Sequence, residues 1–311
     1  MVTIDDVRAA AKRIRDHVHR TPVMTSATLD RELGARVAFK CENLQKVGAF
    51  KARGACNAVF ALDDEAAARG VITHSSGNHA AALAYAAATR GVSAYVVMPD
   101  TAPQIKVDAV RSYGADVRFC DPAERAQACE AWRLETQATL VHPYENAHVI
   151  AGQGTAALEL LEDVPDLDVV IVPVGGGGLC AGSAVTVRAL QPDTWMLAAE
   201  PKAVDDAARS MATGVHQPRV DNAKTWGDGL MTALGEPNFA LLQEHRVCIV
   251  TVEEDAMVDA SRFFLQCMKL VVEPSGATVL AALRAIADQL PGKRIGAILS
   301  GGNTDFGWLA R

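Results

Sequence analysis

The sequence predicts an α/β protein built on parallel sheets, and three observations predict it. Apolar runs of strand length alternate with helical periodicities along most of the 311 residues. The apolar runs are mostly continuous rather than alternating, the pattern of strands buried on both faces. The stretches between most of them are Ala-rich and helical in period, such as NHAAALAYAAATR (78–90) and GTAALELLED (154–163), as crossovers wrapping a parallel sheet must be. With 50% hydrophobic and 22% charged residues the chain buries a large core. Two domains are expected, because single cores stop growing near ~250–300 residues.

Taken in order, TIDD (3–6) reads as a capping box, with Thr3 as N-cap and Asp6 three residues on, and its helix should end before Thr21-Pro22. Strands are expected at RVAFKCE (36–42), GVITHS (70–75), SAYVVMP (93–99), DVRFC (116–120) and TLVHP (139–143). More follow at DVVIVPVG (168–175), WMLAAEP (195–201), RVCIVTV (246–252) and RIGAILS (294–300). The net charge of -7 gives no basic footprint for nucleic acid and suits small-molecule ligands. No apolar run reaches membrane-spanning length, and MVTIDDVRAA is no signal peptide, so a cytoplasmic protein is expected. The seven cysteines form no C-x-x-C pair and are odd in number, which fits free thiols in a reducing compartment.

Ligands of such sheets bind beyond the carboxyl ends of strands. Five strand-to-helix turns carry unusual chemistry: THSSGNHA, VPVGGGGLCAG, AAEPKAVDD, VVEPSGA and ILSGGNTD. In the second, Gly175, Gly176, Gly177 and Gly178 let backbone N–H groups converge at a helix start, an anion site suited to phosphate. A dinucleotide reading competes, since Gly176-x-Gly178-x-x-Ala181 is followed by Glu200 at the end of the next strand. THSSGNHA offers Ser75, Ser76, Asn78 and His79 to a ligand or to helix capping. Glu200 and Asp206 with a backbone carbonyl suit Mg²⁺ or Ca²⁺; the bland alternative is a solvated acidic cap. Lys51, in NLQKVGAFKARGA, stands behind Phe50 and among small residues, outside any charge run. Its choice is between a snorkelling lysine and a desolvated, nucleophilic amine. A phosphate cradle, an isolated lysine behind an aromatic and polar strand ends together suggest pyridoxal phosphate. That cofactor needs an amine for its aldehyde, a phosphate site, and partners for its pyridine nitrogen and phenolic oxygen.

FKCENLQKVGAFKARGACNA, HSSGNHA, VGGGGL, AEPKAVDDA, EPSGA and LSGGN follow one another in an order that resembles fold-type II pyridoxal phosphate enzymes of the serine/threonine dehydratase–serine racemase group. The resemblance covers nearly the whole chain. It implies two open, twisted, mostly parallel sheets with helices on both faces, as in tryptophan synthase β. A smaller α/β domain at 68–146 is expected inside a larger cofactor-binding one (1–67 plus 147–311). It implies Lys51 as the Schiff-base lysine beside Phe50, and Asn78 near the phenolic oxygen. Gly175 to Gly178 and Leu179 would take the phosphate, and Ser300 the pyridine nitrogen. Ser76 matches the second base of racemases, and Glu200, Asp206 and the Val204 carbonyl match a divalent cation site for Mg, Ca or Mn. The substrate's carboxylate would lie on the turn Ser75, Ser76, Gly77, Asn78 and His79, with His79 itself structural and neutral. Arg125 resembles a family arginine placed to read a distal carboxylate. The sequence departs from relatives at Ala49, at Tyr144 and at Trp226-Gly227, positions that border the family's substrate pocket. Gly227 would free one methyl of space and Trp226 add an aromatic wall, admitting a bulky β-substituent. The chain runs only a little past LSGGN, resembling the short catabolic form without a regulatory domain. The expected reaction is dehydration and deamination of an L-β-hydroxy-α-amino acid, with serine racemisation the alternative and an NAD-binding oxidoreductase a remote one. A homodimer is implied by the resemblance alone.

Overall fold

The computed structural model describes residues 1–75 and 77–310. Its strands are β1 (Val23–Thr25), β2 (Arg36–Cys41), β3 (Val71–His74), β4 (Ala94–Pro99), β5 (Asp116–Cys120), β6 (Thr139–Leu140), β7 (Val169–Pro173), β8 (Trp195–Pro201), β9 (Cys248–Val252) and β10 (Arg294–Leu299). They form two open sheets, ordered β1-β2-β10-β7-β8-β9 and β5-β4-β3-β6. The helices are α1 (Ile4–Ile14), α2 (Ala27–Leu33), α3 (Lys51–Phe60), α4 (Asp64–Ala68), α5 (Asn78–Arg90), α6 (Gln104–Ser112), α7 (Arg125–Thr136), α8 (Ala147–Asp163), α9 (Gly178–Leu190), α10 (Asp206–Thr213), α11 (Glu236–Glu244), α12 (Glu254–Phe263) and α13 (Pro274–Ala285). Each run read as a strand contains one. The capping box closes as expected, with Asp6 N–H donating to Thr3 Oγ1 and Thr3 N–H to the Asp6 carboxylate.

Two features escaped the sequence. The short β1 pairs antiparallel with β2, whereas the other ladders are parallel. It carries no long apolar run because it is an edge strand with one neighbour. DVRFC forms β5 but is mostly exposed rather than buried on both faces, since it too is an edge.

Apolar layers cover both faces of the larger sheet: Leu29, Phe264, Leu280 and Leu283 on one, Val7, Ile150, Leu160 and Leu241 on the other. The smaller sheet takes Leu83, Val107 and Val110 on one face and Cys129 with Trp132 on the other. Although α3 precedes β3, its Ala55, Cys56 and Val59 pack into the core of this smaller sheet.

Helix α8 is the spine between the two elements that carry the site. A Cβ on Gly152 would lie 2.6 Å from Gly54 Cα in α3, and one on Gly182 in α9 would lie 2.3 Å from Ile150 O in α8. Backbone therefore meets backbone at both crossings, which only glycine permits. The helix starting with Lys51 and the helix starting with the glycine loop are thus fixed against one rod. No helix among the described residues is long and apolar enough to cross a membrane.

Candidate active site

Residues 48–50 zip onto the turn after β10. Phe50 N–H donates to Ser300 O at 3.0 Å, Gly302 N–H donates to Gly48 O at 3.0 Å, and Ala49 bridges Gly301. AFKARG and LSGGN, far apart in sequence, thereby become one structure and bring Lys51 and Ser300 to one cavity of about 600 Å³. Lys51 Nζ donates to Pro143 O at 2.8 Å and stands 5.1 Å from the Phe50 ring centroid. No carboxylate pairs with it among the described residues. Desolvation alone pushes its ammonium down from the ordinary 10.5 to about 8. The isolated lysine is a desolvated amine, not a snorkelling one.

Two helix starts face this cavity. At one, the N–H groups of Gly175, Gly176 and Gly177 donate to no backbone carbonyl among the described residues. Those of Gly178 and Leu179 open α9, where the first turn has no intrahelical acceptor. Together they leave a row of unspent donors reinforced by the helix dipole. The glycines are required by contact as well: a Cβ on Gly176 would lie 2.4 Å from the Tyr144 ring, and Gly177 has φ +90°. At the other start, Ser75, Gly77, Asn78 and His79 turn from β3 into α5 and line the same cavity. Ser76 lies outside the described residues.

The His79 ring is turned into the protein. It is buried, its Nε2 lies 3.0 Å from Val141 O, and burial, reinforced by Lys51, pushes its imidazole down to about 3. Ser300 is buried at the end of β10, and its hydroxyl donates to no protein group among the described residues. Arg125, Tyr144 and Leu179 also line the cavity. Arg125 makes one hydrogen bond, Nε to Pro122 O at 3.0 Å, and pairs with no carboxylate among the described residues. Trp226 and Gly227 do not line the cavity. A Cβ on Gly227 would point at Pro201 Cγ, 3.0 Å away, so the missing methyl enlarges no pocket.

Sequence reasoning passed over Glu273, His74 and His142, which all line the cavity or adjoin it. Glu273 was visible in EPSGA but carried no role. Its carboxyl is buried, accepts from Asn78 Nδ2 at 3.1 Å, and is pushed up to about 8 by that burial. His74 and His142 meet edge to face at 5.8 Å, and burial holds both below the ordinary imidazole value. They follow apolar strand residues in ITH and LVH, a signal no different from that of a core histidine.

Glu200 and Asp206 are both buried, so the solvated-cap alternative fails. Glu200 Oε1 and Oε2 accept from the N–H groups of Ala207 and Ala208 at 2.9 and 2.8 Å, and Asp206 Oδ2 accepts from Leu234 N–H at 2.8 Å. Burial, and then Asp206, push Glu200 up to about 8, and burial raises Asp206 as well. Among the described residues no three His, Cys, Asp or Glu side chains gather as a metal cluster. The donor set here is instead two hard carboxylates hydrogen-bonded by backbone N–H groups, near Val204 in sequence; Arg209 and His216 lower Asp206 by less than burial raises it. The dinucleotide reading needs Glu200 to face the ligand of the glycine loop; Glu200 does not line the cavity that the loop borders, and its carboxylate points at the start of α10.

A desolvated amine, a cradle of free N–H groups, a free hydroxyl and an amide at one cleft between parallel sheets fit pyridoxal phosphate. They define the class as a pyridoxal phosphate enzyme of fold type II. Residues 14–301 match the pyridoxal-phosphate dependent enzyme family, and the chain belongs to it, within the serine/threonine dehydratase group. It is 44% identical to a serine racemase of Dictyostelium discoideum, over 100% of this chain and 97% of that protein. It is 46% identical to a beta-hydroxyaspartate dehydratase of Paracoccus denitrificans, over 98% and 97% respectively. The crystal structure of maize serine racemase superposes with a TM-score of 0.94 at 43% identity, covering 99% of this chain and 97% of that one.

Proposed function

We propose that the protein dehydrates and deaminates an L-β-hydroxy-α-amino acid to a 2-oxo acid and ammonia. The observation that carries this is the desolvated Lys51 amine sharing one cavity with the free Ser300 hydroxyl and the unspent N–H groups of the glycine loop. Gly175 to Leu179 hold the cofactor's phosphate, Asn78 its phenolic oxygen and Ser300 its ring nitrogen. Bound pyridoxal phosphate supplies an electron sink for the pair left when the substrate's Cα proton departs. A hydroxyl at the ring nitrogen keeps that sink moderate, which favours expelling the β-hydroxyl over holding a long-lived carbanion. Lys51, whose ammonium is destabilised by burial, takes the Cα proton as general base, and that proton leaves with the β-hydroxyl as water. The α5 start at Asn78 and His79 holds the α-carboxylate on its free N–H groups, beside Gly77, whose N–H donates to Ser75 Oγ. The released enamine tautomerises to an imine. Water hydrolyses it, restoring the water lost in elimination and freeing ammonia.

Arg125 has no carboxylate partner among the described residues, which favours a substrate with a second acid group such as a 3-hydroxyaspartate. Serine and threonine remain substrates of the same chemistry. The packing of Gly227 against Pro201 leaves 3-phenylserine without the extra space that its ring would need. Ser76 is proposed as the second base of a minor racemase activity. We further propose a divalent cation on Glu200, Asp206 and the Val204 carbonyl, supported by the burial that raises both carboxyls. Residues 68–146 as an inserted domain are supported by the sheet membership of β3 to β6. A homodimer and a cytoplasmic location complete the reading.

The purified protein is expected to be yellow, and borohydride to fix the cofactor on the peptide containing Lys51. L-threo-3-hydroxyaspartate, L-serine, L-threonine and L-threo-3-phenylserine are then compared by kcat/KM for 2-oxo acid release. Accumulation of D-serine from L-serine with no 2-oxo acid from any of the four would make racemisation the main reaction and overturn the proposal.

A further inference from the structure

Val47 is a β-branched residue at φ 56°, ψ 14°, in the left-handed region that such side chains avoid. A conformation of this kind persists only where its surroundings hold it. Here the holder is Asn303, three residues beyond Ser300. Its Nδ2 donates to Val47 O at 2.7 Å and to Asn78 Oδ1 at 2.9 Å. Gly48 leaves room for this amide, since a Cβ there would lie 2.4 Å from Asn303 Oδ1. On its other side Asn78 donates from Nδ2 to Glu273 Oε1 at 3.1 Å.

These partners determine which end of each amide is nitrogen. Val47's carbonyl only accepts, so the end of Asn303 that meets it is Nδ2. The second hydrogen of that nitrogen meets Asn78, whose facing end is therefore Oδ1, and Asn78 Nδ2 turns to Glu273. One hydrogen of Asn78 Nδ2 is left over, on a residue that lines the cavity. Glu273 cannot set this orientation alone. Burial raises its carboxyl to about 8, so near neutrality it serves as acceptor or, protonated, as donor to a reversed amide. The end tied to a main-chain carbonyl has no such freedom.

We propose that Asn303 is a positioning residue: anchored on the strained Val47 carbonyl, it fixes the Asn78 amide so that an N–H, not a carbonyl, is presented to the cofactor's phenolic oxygen. The inference rests on Asn78 facing that oxygen, as proposed above.

The test uses the holoenzyme and its absorption spectrum. Asn78→Ala is expected to shift the balance of the bound cofactor's absorption bands and to raise its dissociation constant about tenfold, as loss of one hydrogen bond to a charged oxygen does. Asn303→Asp keeps the shape but puts an acceptor against Asn78 Oδ1. It is expected to move the bands in the same direction and weaken cofactor binding by a similar factor. Asn303→Ala, which leaves the Glu273 bond in place, is expected to do so less. The double variant Asn78→Ala/Asn303→Asp is expected to match the band balance of Asn78→Ala alone, because Asn303 reaches the phenolic oxygen only through Asn78, while its hold on Val47 is read separately in thermal unfolding. Thermal unfolding of each apoprotein identifies any variant that simply fails to fold, and Asn303→Ala then carries the same comparison. If Asn78→Ala leaves the spectrum unchanged, the placement of Asn78 on the phenolic oxygen is wrong. If Asn78→Ala shifts it while Asn303→Asp does not, or if the two effects add, the positioning role of Asn303 is overturned.

Discussion

Two groups of buried acids sit at the carboxyl ends of strands in the larger sheet, and they are treated oppositely. Beyond β2, Glu42 is fully buried between Arg53 Nε at 2.7 Å and Nη2 at 2.8 Å, while Arg53 also reaches Glu159 at 2.7 and 2.8 Å. Lys40, also fully buried, pairs with Glu159 at 2.7 Å, and Arg20 closes on Glu162 and Asp163. Burial alone would raise the Glu42 carboxyl; Arg53 outweighs it and holds the group below its ordinary value. At the end of β8, Glu200 and Asp206 are as deeply buried, yet their hydrogen bonds come from backbone N–H groups, Arg209 and His216 act on Asp206 without an ion pair, and both carboxyls are raised. The first group is a structural unit complete within the chain. The second has a charge deficit that a divalent cation would fill. Arg125 at the cavity is the mirror case, a cation without an anion among the described residues. We propose that in this protein buried or cavity-facing charge without an ion-pair partner among the described residues marks where something from outside belongs.

The sharpest way to break the comparison is to remove the arginine from the completed network. Arg53→Met strands Glu42, while Glu159 keeps Lys40, and should cost about 3–5 kcal/mol of stability in urea unfolding. Because Arg53 lies two residues beyond Lys51 on α3, the surviving fold should also hold pyridoxal phosphate less tightly. A loss below about 1 kcal/mol would mean that the network is not what completes this region.

The next test fills the deficit. A carboxyl whose folded pKa is raised binds its proton more tightly when folded. Its stabilising contribution is therefore present below the ordinary 4.5 and lost as pH climbs toward about 8. In chelator, stability should fall across that window, and Mg²⁺ or Ca²⁺ should restore it most at the alkaline end, by about 2.7 kcal/mol at a hundredfold excess over Kd. Glu273, raised to about 8 as well, contributes a similar slope. Glu200→Gln separates the two: it should abolish the cation effect and leave the slope due to Glu273 and Asp206. If Glu200→Gln responds to chelation and refilling as the parent does, the two acids hold no cation.

The smallest effect is expected at Arg125. Arg125→Gln should lower kcat/KM for L-threo-3-hydroxyaspartate by about 10–100-fold, the worth of one charge-assisted pair, and change L-serine turnover little. Equal losses on both substrates would show that Arg125 supports the cleft rather than reads a second carboxylate.

The sequence by itself determined a good deal. Period and composition fixed the α/β class and the order of nearly every strand, because continuous apolar runs admit few alternatives to parallel sheets between helices. Ordered motifs nominated Lys51, the glycine loop, Asn78 and Ser300, since each offers a chemical group suited to one part of the cofactor. Contacts between remote segments were decided only in three dimensions. The sheet-edge position of β1 and β5, the glycine crossings of α3 and α9 on α8, and the Glu42–Arg53–Glu159 network join residues that no local period links. The same holds at the site: Glu273 and Asn303 stand within the EPSGA and LSGGN motifs, yet their roles arise from meeting Asn78 across the cleft. Trp226 and Gly227 show the converse. Their place in the motif suggested a pocket wall, and tertiary packing turned the Cβ direction of residue 227 toward Pro201 instead. Local patterns record what a segment needs to fold; which side chains share a cavity depends on how the two sheets and their crossovers close on one another.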